Sequence, residues 1–194
     1  MFDSLVQLDR ELLLELNSYN NPFFDEMMYW VSHKFFWLPL YLFLVYLIIR
    51  KNGWNAVYVL VGVALVVTLA DQFTSSFMKP FFERPRPCHD PLIGHMVHTV
   101  EKCGGRYGFA SSHASNVFGV AAFLWLQLRD RFRWIILLFP WAVLVSYSRV
   151  YLGVHYPGDI TVGAIVGLFF GWLVYWIYNQ LSPRLPSLDR QKDS

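Results

Sequence analysis

The chain has 194 residues, of which 55% are hydrophobic and only 15% are charged, and its formal net charge is +2. An ordinary soluble domain has roughly 25% charged residues, so this composition is too poor in charge for a soluble surface. The near balance of basic and acidic residues argues against a protein that coats nucleic acid. Two cysteines are too few for a disulfide scaffold or a four-thiolate zinc site. The composition therefore favours a compact protein that is mostly embedded in a membrane.

The N-terminal segment, residues 1–25, has an amphipathic pattern. Leu5, Leu12 and Leu16 recur near helical spacing, with Asp9 and Glu15 among them. This pattern predicts a helix that lies in the membrane interface or packs as an ordinary surface helix on the bundle. The segment lacks the basic start and the small-residue cleavage site of a secretory signal peptide, so we expect it to stay on the mature protein.

Apolar runs follow this segment, and five of them approach the roughly 20 helical residues that one bilayer crossing needs. We predict an all-α integral membrane protein, a helical bundle with about five transmembrane spans plus the N-terminal interfacial helix. It forms a single domain over residues 1–182, followed by a polar tail over 183–194. The apolar runs cover residues 35–49, with 27–31 leading in, then 54–78, 112–128, 134–147 and 160–178.

Basic residues near the span ends favour one orientation of the bundle. The connections between successive spans alternate between the two sides of the membrane, and on one side the basic residues lie close to several tryptophans. We expect that side in the cytoplasm. Residues 79–111 and 149–159 then share the outer face, which for a bacterial protein is the periplasmic face of the inner membrane. The cytoplasmic set includes Arg50, Lys51, Arg129, Arg131 and Arg133.

Polar residues that are costly in a membrane protein concentrate in the two outer segments. The segment Gly108–His113 runs into the third span, and the free N–H groups of such a helix start favour an anion such as phosphate. His155 and Asp159 are four residues apart at the start of the fifth span, so the carboxylate can fix the imidazole tautomer. With nearby cations, this set suits phosphoryl transfer. The alternative is that these residues have no catalytic role, and that the cations anchor the protein at the membrane interface while the polar side chains cap the starts of helices.

The ordered motifs resemble those of the type 2 phosphatidic acid phosphatase family, integral-membrane lipid phosphatases related to vanadium haloperoxidases. The family's first motif, Lys-x6-Arg-Pro, is present from Lys79 to Pro87, and its third, Ser-Arg-x5-His-x3-Asp, is unchanged from Ser148 to Asp159. The second motif, Pro-Ser-Gly-His, reads Ala-Ser-Ser-His at residues 110–113. Family members commonly have six spans, so the N-terminal segment is expected to replace the missing one on the membrane surface.

The resemblance implies a mechanism that needs no metal ion and no other cofactor. His155 attacks phosphorus and forms a phosphohistidine, Asp159 orients and stabilises it, and His113 protonates the leaving oxygen. Where the family has glycine, this chain has Ser112, so either the backbone or the hydroxyl of that residue contacts phosphate. The implied phosphate-binding residues are Lys79, Arg86, Ser111, Ser112 and Arg149.

The predicted substrate is a membrane lipid phosphate or diphosphate, and we favour undecaprenyl diphosphate. Phosphatidylglycerophosphate, phosphatidic acid and a phosphorylated lipid A are the alternatives. Two other functions remain open at this point: vanadate-dependent halide oxidation, which the hydrophobic spans oppose, and non-catalytic lipid binding or transport, which the intact His113, His155 and Asp159 oppose.

The remaining features of the sequence are weaker. Cys88 and Cys103 form a disulfide if their loop faces an oxidising compartment, and the loop is expected to cover the site. The histidines and acids of this loop match no familiar zinc pattern. Asp71 lies within a predicted span and is expected to face the bundle interior. The stripe Gly163, Gly167 and Gly171 favours packing within the bundle, with a homodimer as the alternative.

Overall fold

The computed structural model describes residues 2–184. The predicted polar tail lies outside the described residues from position 185 onwards. A π-helical turn, Phe73–Met78, joins the fourth α-helix to the fifth. The α-helices in chain order are α1 (Phe2–Ser18), α2 (Pro22–Ser32), α3 (Leu38–Asn52), α4 (Ala56–Gln72), α5 (Lys79–Phe82), α6 (Ser112–Leu128), α7 (Leu138–Tyr151) and α8 (Pro157–Leu181).

Three helical stretches within residues 2–184 are long and apolar enough to cross a membrane: Lys34–Phe82, Arg133–Tyr151 and Pro157–Leu181. The first is 49 residues long and contains both α3 and α4. These two helices are separated at Gly53, whose φ of 57° is one that glycine adopts most easily. The helices confirm the all-α membrane bundle, and the count of five spans stays a prediction.

Helix α6 packs against α8 by close approach of the two backbones. A Cβ atom on Gly163 would lie 2.5 Å from the carbonyl oxygen of Ser111, and one on Gly171 would lie 2.5 Å from that of Gly119. Gly167, between them, meets the α6 backbone in the same way. The glycine stripe thus packs within the bundle, as the first interpretation of its sequence predicted. A homodimer through the stripe stays a prediction that these contacts do not support.

The apolar core lies among α3, α4, α6, α7 and α8. Phe123 of α6 is fully buried, and its ring fills the space over Gly62 of α4, where a Cβ would come within 2.5 Å of a ring carbon. Leu44 and Val145 close the core from α3 and α7. Burying such side chains stabilises the bundle and fixes the outer ends of its helices relative to one another.

The N-terminal segment forms two helices and not the single continuous helix that the pattern predicted. The break falls at Asn21, whose side chain accepts a hydrogen bond from the backbone N–H of Phe24 and caps α2. Pro22 then occupies the first position of α2, where its missing N–H costs nothing. Residues 27–31, predicted to lead into the first span, belong to α2 and are separated from α3 by a short 3₁₀ turn.

Helix α1 packs on the outer end of the bundle. The Asn17 amide donates hydrogen bonds to the carbonyl oxygens of His98 and Tyr151, at 2.9 and 2.7 Å. Leu5 and Leu8, on another face, are exposed. Packing on the bundle is therefore confirmed, and contact of the exposed leucines with the membrane interface stays a prediction.

The outer loop begins at Glu83, later than the predicted Lys79, because α5 continues the preceding membrane helix by one more turn. Cys88 and Cys103 are joined by a disulfide within the loop. Several of its polar side chains, considered above as zinc ligands, bind other protein groups. These pairs are Asp90 with Arg10, His98 with Asp25, and Glu101 with Arg149.

Candidate active site

His155 and Asp159 form a hydrogen-bonded pair where α8 begins. The distance from His155 Nδ1 to Asp159 Oδ2 is 3.2 Å, and both side chains are buried. The same carboxylate oxygen accepts the backbone N–H of Tyr156 at 3.1 Å, which closes a capping box with Pro157 in the first turn. When His155 donates from Nδ1, its lone pair is on Nε2. The pair is thus arranged to present Nε2 as a nucleophile.

Cations surround this histidine. Arg86 Nη1 lies 3.4 Å from His155 Nε2. Lys79 and Arg149 line the same cavity as His155, and Arg149 is only 8% exposed although it is charged. Arg149 lies in the last turn of α7, where the helix dipole favours a positive charge. The arrangement places three positive charges around one imidazole.

Arg86 and Arg149 each have one hydrogen-bond donor that is not used by the described part of the protein. The buried Nε atoms of Arg86 and Arg149 have no hydrogen-bond partner within residues 2–184. A buried donor is normally satisfied, because leaving it unpaired costs about 1–3 kcal/mol. The oxygens of a phosphoryl group are suitable acceptors, and guanidinium groups bind them with matched geometry.

Burial lowers the pKa of His155 well below its ordinary value of 6.5, and the positive charges of Arg86, Arg149 and Lys79 lower it further. The imidazole is therefore neutral at neutral pH, the state in which Nε2 can attack phosphorus.

Ser112 supplies a hydroxyl to the polar end of the cavity. Its Oγ accepts hydrogen bonds from Lys79 Nζ at 2.8 Å and Thr74 Oγ1 at 3.0 Å, and lies 2.8 Å from Ser75 Oγ. Thr74 and Ser75 belong to the π-helical turn, a type of distortion that is frequent at functional sites. At the position where the family has glycine, the hydroxyl of this chain thus holds Lys79 in place.

Ser111 is fully buried and does not belong to the cavity lining. Its side chain caps α6 by accepting the backbone N–H of Ala114. Its predicted role in phosphate binding stays a prediction. His113, in the first turn of α6, does line the cavity beside His155 and the cations, as predicted.

The cavity has a volume of about 630 Å³ and extends from the site towards the centre of the bundle. Its outer end is polar and contains His113, His155 and the cations. Its inner walls are apolar and come from α3, α4, α6 and α7. These walls include Leu44, Ile48, Val63, Val120, Leu124 and Val145.

The polar lining continues one helical turn below the serines. Asp71 lines the cavity, in agreement with its predicted inward position. Asn116, one turn after Ser112 on α6, also lines it and has a buried Oδ1 that no group in the described part of the chain bonds. Val67 of α4 and Val120 of α6 line the cavity one turn further along their helices.

Some residues at the site carried no recognisable signal in the sequence. Ser32 Oγ accepts a hydrogen bond from Arg149 Nη1, and Glu101 Oε1 accepts another from the same atom at 2.8 Å. Arg84 donates to Asp159, and Asp9 of α1 pairs with Arg84. These partners are between 48 and 117 residues apart in the chain, so no local spacing could reveal them.

A neutral histidine buried among cations, beside an apolar cavity at one end of a membrane bundle, suits the chemistry of an integral-membrane phosphatase. The sequence profile of the PAP2 superfamily matches residues 55–183. The chain belongs to this superfamily and is a membrane lipid phosphatase. The enzyme interpretation of the sequence is thereby confirmed.

Two relatives are similar over nearly the whole chain. A lipid A 4'-phosphatase of Bacteroides thetaiotaomicron is 41% identical over 191 residues, covering 96% of this chain and 84% of the relative. A lipid A 4'-phosphatase of Porphyromonas gingivalis is 40% identical over 179 residues, covering 90% and 74%. A crystal structure of a transmembrane PAP2-type phosphatidylglycerolphosphate phosphatase from Bacillus subtilis shares the fold, with a TM-score of 0.68 at 23% identity, over 92% of this chain and 88% of that one.

Proposed function

We propose that this phosphatase hydrolyses a phosphate monoester on a lipid A-type glycolipid, with His155 as the nucleophile. The observation that carries the proposal is the position of His155 Nε2, 3.4 Å from Arg86 at the polar end of an otherwise apolar cavity. The similarity to two lipid A 4'-phosphatases supports the choice of lipid.

In the first step, the Nε2 lone pair of His155 attacks phosphorus. An N–P bond forms as the bond from phosphorus to the lipid oxygen breaks. His113, protonated in the complex because the bound phosphate dianion offsets the nearby cations, donates that proton to the lipid oxygen. The Asp159 carboxylate accepts Nδ1–H of His155 and stabilises the positive charge that develops on the ring. This step releases the dephosphorylated lipid and leaves a phosphohistidine.

In the second step, water attacks the phosphohistidine. His113, now neutral, takes a proton from the water as its oxygen bonds to phosphorus, and the N–P bond electrons return to His155. Inorganic phosphate leaves, and both histidines regain their starting protonation states. The step needs no metal ion, because Lys79, Arg86 and Arg149 neutralise the charge on the phosphoryl oxygens.

The cavity suits the lipid part of the substrate. Its apolar inner walls can bury an acyl chain, at about 0.8 kcal/mol for each CH₂ removed from water. Asp71 and Asn116 interrupt this apolar surface one turn below the phosphate-binding end. Their oxygens can accept hydrogen bonds from the hydroxyl and amide N–H groups of an acylated glucosamine lipid.

Undecaprenyl diphosphate, favoured on the sequence alone, is the second candidate. The apolar cavity could hold part of its prenyl chain. That chain has no hydrogen-bond donor for Asp71 or Asn116, which line the cavity. We therefore rank it below the glycolipid.

The proposed location is the bacterial inner membrane with the site facing the periplasm. Support comes from the basic residues at the opposite ends of the helices. Arg50 and Lys51 lie in the last turn of α3, and Lys51 pairs with Asp130 in the α6–α7 connection. The positive-inside rule assigns this end to the cytoplasm.

The test is phosphate release by purified protein, with a chelator present. The panel is a lipid A carrying a 4'-phosphate, phosphatidic acid, phosphatidylglycerophosphate and undecaprenyl diphosphate, with His155→Ala as the inactive control. We expect the highest kcat/KM for lipid A and a product that lacks the 4'-phosphate by mass spectrometry. A higher kcat/KM for undecaprenyl diphosphate would make the second candidate the function.

A second variant tests the contribution of the cavity wall. Asn116→Leu removes the amide and keeps the side-chain volume similar. Loss of one hydrogen bond, about 1.4 kcal/mol, would lower the ratio of kcat/KM for lipid A over phosphatidic acid about tenfold. An unchanged ratio would show that Asn116 does not contact the glycolipid.

A further inference from the structure

The carboxylate of Asp159 has a partner that none of the three family motifs specifies, because Arg84 is at a variable position of the first motif. One oxygen, Oδ2, is shared between His155 and the backbone N–H of Tyr156. The other, Oδ1, accepts a hydrogen bond from Arg84 Nη1 at 2.9 Å. Asp159 is 0% exposed, so its negative charge needs a cation within the protein.

Arg84 is itself held on two further sides. Its Nη2 pairs with Asp9 Oδ2 of α1 at 2.7 Å, and its guanidinium carbon lies 3.9 Å from the ring centroid of Tyr156. Stacking and pairing together restrict the planar guanidinium to one orientation. The position of Arg84 is thus determined by α1 and by the residue that precedes α8.

Asp9 also binds the start of α8 directly. Its Oδ1 accepts the backbone N–H of Gly158 at 2.7 Å. A Cβ on Gly158 would lie 2.6 Å from Asp9 Oδ2, so only glycine permits this approach. Asp9, Arg84 and Asp159 form a closed set of contacts around the first turn of α8.

Other charged groups near the dyad do not replace Arg84. Arg86 Nη1 is directed to the carbonyl oxygen of Val154 and to His155 Nε2, and Arg149 pairs with Glu101. Among the described residues, Arg84 is the cation that forms an ion pair with Asp159.

We propose that Arg84 and Asp9 are positioning residues for catalysis. Arg84 fixes the Asp159 carboxylate in the orientation that receives His155 Nδ1–H, and Asp9 fixes Arg84 and the helix start. The N-terminal helix α1 is thereby part of the catalytic apparatus. The proposal rests on the proposed function in one respect, that His155 is the nucleophile.

The experiment compares kcat and KM for the preferred lipid phosphate in Arg84→Gln, Arg84→Lys, Asp9→Asn and the double variant Asp9→Asn/Arg84→Gln. Misplacing a reacting group by about 1 Å costs up to about 100-fold in rate. We expect Arg84→Gln to lower kcat by that factor and to change KM less than threefold, since Arg84 does not line the cavity. Arg84→Lys should recover part of kcat. The double variant should equal Arg84→Gln alone, because the side-chain oxygen left by Asp9→Asn can still accept the Gly158 N–H, so that this substitution acts only through Arg84.

Arg10→Gln is the matched control. Arg10 also ties α1 to the outer part of the protein, through an ion pair with Asp90 at 2.9 Å, but it does not contact Asp159. We expect its kcat to match that of the wild type. Thermal unfolding of every variant, measured in the same detergent, checks that the active-site variants are folded.

Two results distinguish the positioning role of Arg84 and Asp9 from the proposed function of His155. If Arg84→Gln and Asp9→Asn lower kcat no more than Arg10→Gln does, or if their effects are additive, the positioning role is overturned and the proposed function stands. If His155→Ala retains activity in the same assay, the proposed function and the inference that depends on it are both overturned.

Discussion

Glu101 of the outer loop and Arg149 at the end of α7 form an ion pair of 2.8 Å at the polar end of the cavity. Arg149, for which we propose a role in binding phosphate, is thus already paired with an anion. An incoming phosphoryl group must share Arg149 with this carboxylate or displace it.

The first prediction concerns this pair. Glu101→Gln removes a negative charge beside the phosphate-binding end, so inorganic phosphate should inhibit the variant more strongly. We expect its inhibition constant to fall about tenfold, which corresponds to about 1.4 kcal/mol. Glu83→Gln, an exposed position on the same loop, is the control and should leave the constant unchanged. Equal or weaker inhibition of Glu101→Gln would contradict the prediction.

The second prediction separates the roles of the two histidines. His113→Ala should lower kcat for the lipid substrate by about 10²- to 10⁴-fold, the usual contribution of general acid–base catalysis. An aryl phosphate needs no protonation of its leaving oxygen, so its rate of P–O cleavage should recover in His113→Ala and stay absent in His155→Ala. Single-turnover release of the phenol measures this directly. Recovery in both variants, or in neither, would be inconsistent with the assigned roles.

The third prediction concerns pH. Burial lowers the pKa of His155 below its ordinary value of 6.5, with a further contribution from Arg86, Arg149 and Lys79. The nucleophile is inactive when protonated, so lowering this pKa extends activity to more acidic conditions. We expect the acidic limb of the kcat/KM profile, which reports the ionisation of the free enzyme, to lie below pH 6.5. An acidic limb above that pH would show that the imidazole is not held neutral.

The fourth prediction tests packing between α6 and α8. Gly167→Ala forces a Cβ against the backbone of α6, where Gly119 N would lie 2.9 Å away. Overpacking of this kind costs about 1–3 kcal/mol, so the unfolding temperature in detergent should fall by several degrees. Gly105→Ala is the control, because a Cβ there meets nothing within 4 Å. A Gly167→Ala protein as stable as the control would contradict the packing described.

The sequence predicts much of the fold and the reacting groups. The lengths of the apolar runs predicted the positions of the long helices, and α6 begins and ends where its apolar run does, at Ser112 and Leu128. The motif spacing located His113, His155 and three cations, and the structure brings all five to one cavity. The positions of the helices and of these site residues follow from the helical period of the apolar residues and from short motif spacings. A single sequence contains both.

The remaining features depend on contacts between distant segments. The pairing of Asp9 with Arg84 joins residues 75 apart, and the contact of Arg149 with Ser32 joins residues 117 apart. Such contacts follow from the packing of α1 and α2 on the rest of the bundle, which spacing along the chain does not specify.

The central claim is that phosphorus is transferred to His155, and the most direct measurement is to trap that intermediate. Protein is mixed with ³²P-labelled lipid A, quenched within one turnover in alkali, and analysed by peptide mass spectrometry. The account predicts an alkali-stable, acid-labile phosphate on the peptide that contains His155, and none in His155→Ala. Rapid hydrolysis by wild-type protein with label on another residue would contradict the account.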